Sequence, residues 1–134
     1  MKPKAFACLA ALLAAIAALP ALAQQIAASG TVIVYRGKGY EGIMNPFIRP
    51  EARLDGQVIG KCVKGEKITL QLAPGPHVLA TTSESANDLA FTLAEGETIC
   101  IRCTIAIGVL VPNFSLKRDD AKKCDQVARS FRGQ

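Results

Sequence analysis

Between Arg49 and Leu79 apolar and polar residues alternate in short runs broken by glycine-containing turns (R-P-E-A-R-L-D-G-Q-V-I-G-K-C-V-K-G-E-K-I-T-L-Q-L-A-P-G-P-H-V-L). Ile68, Leu70 and Leu72 alternate with Lys67, Thr69 and Gln71, the period-two pattern of a strand with one buried face. Asp55-Gly56 is a dipeptide favoured in two-residue hairpin turns, which need positive φ at both central positions. Lys64-Gly65 and Pro74-Gly75 mark two more turns, so the stretch reads as a β-meander ending in a strand over His77–Thr82. Val58, Gly60 and Cys62 share one face of it, and Val58 is expected inside.

The flanking chain continues the pattern. Gly30–Arg36 (G-T-V-I-V-Y-R) is apolar on both faces, which predicts a central strand covered on each side. Leu89, Phe91 and Leu93 alternate with Ala90 and Thr92. Ile99, Ile101, Cys103, Ile105 and Ile107 face one way and Cys100, Arg102, Thr104 and Ala106 the other, and the apolar run continues until Pro112 stops it. After Asp119 and Asp120, either of which can cap a helix, the period changes: Cys124, Val127, Ala128 and Phe131 recur at helical spacing. The expected fold is all-β, a small Ig-like or prealbumin-like antiparallel β-sandwich of about seven strands with a short C-terminal helix.

The N-terminus changes the picture of where this domain works. Lys2 and Lys4 precede an Ala/Leu-rich run to Leu19, Pro20 breaks it, and Ala21-Leu22-Ala23 is an A-x-A cleavage site. That order is a secretory signal peptide, and the run is shorter than the roughly 20 residues a membrane span needs. Three segments are therefore expected: a cleaved signal at 1–23, a sandwich at 24–116 and a basic helix or tail at 117–134. The destination is the periplasm or the exterior.

Export removes Lys2 and Lys4 and takes the formal net charge from +5 to +3. The whole remaining excess lies from Lys117 onward, where Lys117, Arg118, Lys122, Lys123, Arg129 and Arg132 outnumber Asp119, Asp120 and Asp125. Such a tail can touch an anionic membrane surface or polymer, although a solvated helix face is the simpler reading. Nucleic acid is not expected as a partner, because the chain has no Trp, only two Tyr, and no interleaving of basic with aromatic residues.

Four cysteines remain after cleavage, Cys62, Cys100, Cys103 and Cys124, an even set in an exported domain and hence two expected disulfides. Cys100 and Cys103 form a C-x-x-C, but three residues along a regular strand separate their Cα atoms by about 10 Å and turn their side chains to opposite faces. A disulfide needs Cα atoms within about 7 Å. Two pairings stay open: Cys62–Cys103 with Cys100–Cys124, which the face assignments favour, or Cys62–Cys100 with Cys103–Cys124. A redox C-x-x-C belongs at a helix N-terminus, and a four-Cys zinc site wants two such knuckles, so neither a metal nor a cofactor is expected. His77 is the only histidine, beside a turn, and no second histidine or G-x-S-x-G completes a triad. The longest irregular stretch, Gly37–Phe47, is a candidate recognition loop through Lys38, Tyr40, Glu41, Met44 and Phe47, although a plain connector between the two sheets is the simpler reading.

T-V-I-V-Y-R at 31–36, A-R-L-D-G-Q-V-I-G-K at 52–61, L-A-P-G-P-H-V-L at 72–79 and A-E-G-E-T-I-C-I-R at 94–102 resemble the pattern of a bacterial family of small exported proteins classed as a domain of unknown function (the DUF 2846 type). The D-G…I-G…P-G-x-H skeleton is also similar to PEGA-type modules of the bacterial envelope. The resemblance implies a β-sandwich and no catalytic residues, and Cys100 stands where the family pattern has an aromatic. Taken together, the expectation is a non-catalytic, exported cell-envelope protein, structural or binding, whose partner is an envelope protein or polymer. The alternatives are a thiol–disulfide protein using Cys100 and Cys103, and an inhibitor or ligand-binding protein using 37–47.

Overall fold

In the computed structural model, which describes residues 29–39, 47–82, 88–107 and 112–134, nine strands and one helix follow in chain order. They are β1 (Gly30–Tyr35), β2 (Glu51–Leu54), β3 (Gln57–Lys61), β4 (Glu66–Leu72), β5 (Gly75–Thr81), β6 (Leu89–Leu93), β7 (Thr98–Ile107), β8 (Pro112–Arg118), α1 (Ala121–Ser130) and β9 (Arg132–Gly133). Two sheets face each other, ordered β8-β7-β1-β4-β9 and β3-β2-β5-β6. The all-β sandwich with a short C-terminal helix is thus observed, with nine strands where about seven were expected. The signal segment 1–23 lies outside the described residues.

The two extra strands have identifiable reasons for escaping notice. In sequence Pro112 looks like a stop, but a proline is acceptable as the first residue of an edge strand, and β8 begins there at the sheet edge. Lys117 and Arg118 therefore belong to β8, and the boundary expected at 117 falls inside a strand. β9 is two residues long and pairs parallel with Glu66 and Lys67, too short to show a period.

The meander is also corrected. β2 and β3 form the expected hairpin, with Asp55 at φ 49° and Gly56 at φ 82°, both positive as the two-residue turn demands. β4, however, crosses to the other sheet and pairs antiparallel with β1, and β5 crosses back to pair with β2 and β6. A strand with one apolar face buries it equally well beside its predecessor or across the core from it. The turns at Gly65 (φ 79°) and Gly75 (φ 133°) accordingly act as corners between sheets.

β1 lies in the middle of its sheet, antiparallel to β4 and parallel to β7, as its two apolar faces predict. Val32 and Val34 point into the inter-sheet core with Ala52, Leu54, Ile68, Leu79, Phe91, Leu93, Ile99 and Ile101. Ile33 and Tyr35 point the other way, into a second cluster with Cys100, Cys124 and Val127, and Phe131 packs against it. The molecule is therefore three layers deep over β1: sheet, sheet, helix. Asp120 caps the helix by accepting from Lys123 N–H at 2.8 Å. Ala128 departs from the predicted stripe and is exposed, since Cys124 and Val127 alone fill the contact with the sheet.

Val58 is 57% exposed, against expectation. The β2–β3 register slips between Ala52 and Arg53, so Ala52 faces Gly60, Arg53 faces Val58, and Ile59 is the inserted residue of a bulge. The insertion flips the face of everything before it: Val58 turns out, Ile59 packs on the core and Cys62 stays buried. Gly60 sits at φ 149°, where a Cβ would stand 2.7 Å from Ile68 Cδ1 and 2.9 Å from Gln134 Oε1. Gly60→Ala is expected to lower the unfolding free energy by roughly 1–3 kcal/mol, and by more than Gly56→Ala, whose Cβ meets open space. Urea unfolding of the two variants checks this, and a Gly60→Ala protein as stable as the parent would refute the bulge.

Candidate functional site

Three polar constellations stand out among the described residues, and each begins at a strand end. The first unites Asp55 in the β2–β3 turn with His77 at the start of β5. The Nδ1 of His77 lies 2.7 Å from Asp55 Oδ2, its Nε2 lies 2.9 Å from the carbonyl oxygen of Ala73, and its ring leans on Phe91 with centroids 5.7 Å apart. Both neighbours are acceptors, so the geometry favours the cation, the form with a proton on each ring nitrogen. The hydrogen bond to Asp55, then that to Ala73, raises the His77 pKa above its ordinary 6.5. The same bond, with the Val78 N–H on Asp55 Oδ1 at 2.8 Å, lowers the Asp55 carboxyl below its ordinary 3.8. A histidine engaged on both nitrogens is a clamp and not a poised base. The clamp also explains why D-G and P-G-x-H occur together in this sequence: the turn of one hairpin is locked to the corner of the next.

The second constellation lies on the helix side. Asp119, between β8 and α1, anchors its N–H on the Cys100 carbonyl at 2.9 Å. Its carboxylate accepts from the Tyr35 hydroxyl and, at 2.8 Å, from Arg102 Nη2. Burial first, and then the bond to Asp119, keeps the Tyr35 hydroxyl protonated far above its usual range. Tyr35 also meets Phe131 edge to face at 5.1 Å. Beside this group Cys100 is joined to Cys124, with Cα atoms 5.2 Å apart, so the outward face of β7 is bonded to the helix.

The third is Arg36, the residue after β1. By alternation it shares a face with Val32 and Val34, and it is fully buried. Its Nη1 donates to the Ile48 carbonyl at 2.6 Å and to the Cys62 carbonyl at 3.4 Å. The chain leaves β1 at Arg36 and returns toward β2 at Ile48, so one guanidinium holds both roots of the intervening segment. The strand registers set Arg36 and the His77 clamp at opposite ends of the sandwich.

The sequence-predicted residues distribute as follows. Of the recognition loop, Tyr40, Glu41 and Met44 lie outside the described residues. Lys38 is drawn back onto the helix end, with Nζ donating to the Ser130 carbonyl at 3.1 Å and standing 5.1 Å from the Phe131 ring centre. Phe47 is 80% exposed. Among the cysteines, the Cys100–Cys124 bridge is formed as favoured, which removes the alternative that joined Cys100 to Cys62. Cys62 and Cys103 both point into the inter-sheet core as the alternation predicts, but they are buried thiols and the expected second bridge is not made. Cys100 and Cys103 face opposite sides of β7 and are not brought together.

Arg36, Tyr35 and Arg102 carry no such expectation from sequence, and Asp119, expected as a possible helix cap, accepts from Tyr35 and Arg102 while Asp120 caps the helix. For Arg36 a signal existed: a charged residue in phase with Val32 and Val34 must be either buried or at the strand's end. The tail cations are partly structural as well, for Arg118 pairs with Glu97 at 2.6 Å, while Lys122, Lys123, Arg129 and Arg132 are exposed. Among the described residues no group of His, Cys, Asp and Glu is arranged to hold a metal ion, and no helix is long and apolar enough to cross a membrane. No protein-family model matches the chain, and comparisons with curated proteins and with solved structures return no match.

Two outcomes follow from this geometry. The His77 contribution to stability is fully present below the ordinary histidine pKa, because the folded pKa is raised, and disappears as pH rises through it. The Asp55 contribution is present above the ordinary carboxyl pKa and disappears as pH falls through its lowered value. The stability gap between the parent and His77→Gln should therefore be widest near about pH 5 and shrink toward about pH 9. A gap that grows with pH would reverse the assignment. Asp119→Ala leaves the Tyr35 hydroxyl and Arg102 without their shared acceptor and should cost roughly 1–3 kcal/mol, measured by urea unfolding, whereas Tyr35→Phe should cost less.

Proposed function

We propose that this chain is a non-catalytic, exported module of the cell envelope that binds a partner at the end of the sandwich held by Arg36. The observation that carries the reading is the fully buried guanidinium joining the roots of the segment between Gly37 and Phe47, with Phe47 exposed at its edge. A buried arginine is expensive to place unless its hydrogen bonds are satisfied by a fixed partner. Here that partner is the backbone at the root of a long connection, so the frame from which the connection departs is rigid. Binding residues borne on connections and positioned by a rigid scaffold are a general solution.

The same end receives the chain four times: it is where β1, β3, β5 and β7 finish. The opposite end, by contrast, is closed by tight turns at Asp55-Gly56 and Glu95-Gly96 and by the His77 clamp. The absence of a catalytic role belongs to the same reading, since the only histidine has both nitrogens engaged. Export is supported by the N-terminal sequence pattern and agrees with the Cys100–Cys124 bridge, which persists in oxidising compartments.

A photoreactive amino acid placed at position 47 should crosslink an envelope component in intact cells. The same probe at Glu95, in the turn at the other end, should not, and excess unlabelled protein should compete the product away. Equal labelling from both positions, or none from position 47, would overturn the proposal.

A further inference from the structure

The two sheets present four edges, and three of them are blunted. β8 opens on Pro112 and ends on Lys117 and Arg118, and both proline and charge disfavour a further strand. β3 carries the Ile59 bulge, and the Gln134 side chain occupies the Lys61 peptide: Nε2 donates to the Lys61 carbonyl at 2.6 Å while Oε1 accepts from Lys61 N–H at 3.4 Å. The edge of β4 is shortened by β9, and Gln134 N–H donates to the Lys67 carbonyl at 3.0 Å. Among the described residues, β6, at the end of the four-stranded sheet, has none of these devices. It is five uncharged residues, Leu89-Ala90-Phe91-Thr92-Leu93, with neither proline nor bulge.

The peptide groups that β6 leaves open can be identified. Asp55 N–H donates to the Val78 carbonyl at 2.9 Å and Val78 N–H donates to Asp55 Oδ1, so the Val78 peptide groups are turned toward β2. In an antiparallel ladder alternate residues point to alternate sides. Gly75, His77 and Leu79 therefore bond their partners Leu93, Phe91 and Leu89. The N–H and C=O groups of Ala90 and Thr92 are left facing outward.

We propose that this edge is a self-association site, where β6 of a second copy pairs antiparallel about a two-fold axis at Phe91. The sequence of the strand is self-complementary for that arrangement. Leu89 meets Leu93 of the second copy, Ala90 meets its Thr92, and the two Phe91 residues face each other. Ala90 and Thr92 exchange N–H···O=C bonds in two reciprocal pairs, which uses every peptide group the edge leaves open. Leucine and phenylalanine side chains extend one apolar core into the other, while Ala90 and Thr92 stay on the outer face beside Val78. The same patch serves both partners, so the interface is isologous and closes at two copies. The four-stranded sheets merge into one of eight strands. An interface of one strand each lies at the small end of specific contacts, so the dissociation constant is expected on the order of micromolar.

The test is sedimentation of the purified mature protein from about 1 to 500 µM, a range that brackets a micromolar constant, with hydrogen exchange read residue by residue. The mass should rise from monomer to dimer, and the Ala90 and Thr92 amides, which exchange freely in the monomer, should gain protection with concentration. Thr92→Pro removes an outward N–H and Thr92→Lys puts a charge on the edge; either should leave a monomer with an unchanged far-UV spectrum. Should Thr92→Pro fail to fold, Thr92→Lys decides. A parent that stays monomeric throughout, a dimer that survives Thr92→Lys, or amides whose exchange ignores concentration would overturn the proposal.

Discussion

Everything in this fold depends on β1 being buried on both faces. A strand with Val32 and Val34 on one side and Ile33 and Tyr35 on the other cannot leave either side in water. The four-stranded sheet covers the first face. The second is covered by only ten residues of helix, and an isolated helix of that length is marginal in water. Its stability must come from where it is held: Asp119 between Tyr35 and Arg102 at its entry, Phe131 against Tyr35 at its exit, and Cys124 bonded to Cys100 in between. Closing a loop across 24 positions restricts the unfolded chain by about 3.5 kcal/mol, so the bridge contributes substantially to holding the third layer.

The same economy governs the ends of the strands. Tyr35 and Arg36 are consecutive and face opposite layers, so one dipeptide ties β1 to the helix through a hydroxyl and to the β2 side through a guanidinium. At the far end His77 locks two turns by engaging both ring nitrogens. The C-terminus does comparable work: Gln134 links the edge of one sheet to the edge of the other through Lys67 and Lys61. Polar chemistry in the described part of this molecule is used to fix backbone, and this is why its polar groups read as a scaffold and its connections as the place for recognition.

Much of the frame could be read from residues alone. Period-two alternation placed β4, β6 and β7, the doubly apolar run placed β1 at a sheet centre, and the Asp55-Gly56 turn fixed a hairpin. Strand geometry also excluded a Cys100–Cys103 bridge and favoured Cys100–Cys124. What escaped was information that local pattern does not carry. Alternation says which side chains share a face but not whether the next strand lies beside its predecessor or across the core, so a strand that crosses between sheets has the same pattern as one in a meander. A single inserted residue, Ile59, inverted the face of Val58. A short strand opening on proline looked like a stop. The polar constellations were missed because their members, such as Asp55 with His77 or Tyr35 with Asp119, are distant in sequence and meet only once the sheets are assembled.

The central claim is that helix and sandwich form one cooperative unit through the cover of β1. It is tested most directly by urea unfolding of the parent and of Cys124→Ala, followed at once by the helical far-UV signal and by the tyrosine environment. The account predicts coincident transitions in the parent, and in the variant a loss of about 2–4 kcal/mol felt by both signals together. A helix signal that melts ahead of the sheet in the parent, or a variant as stable as the parent, would contradict it.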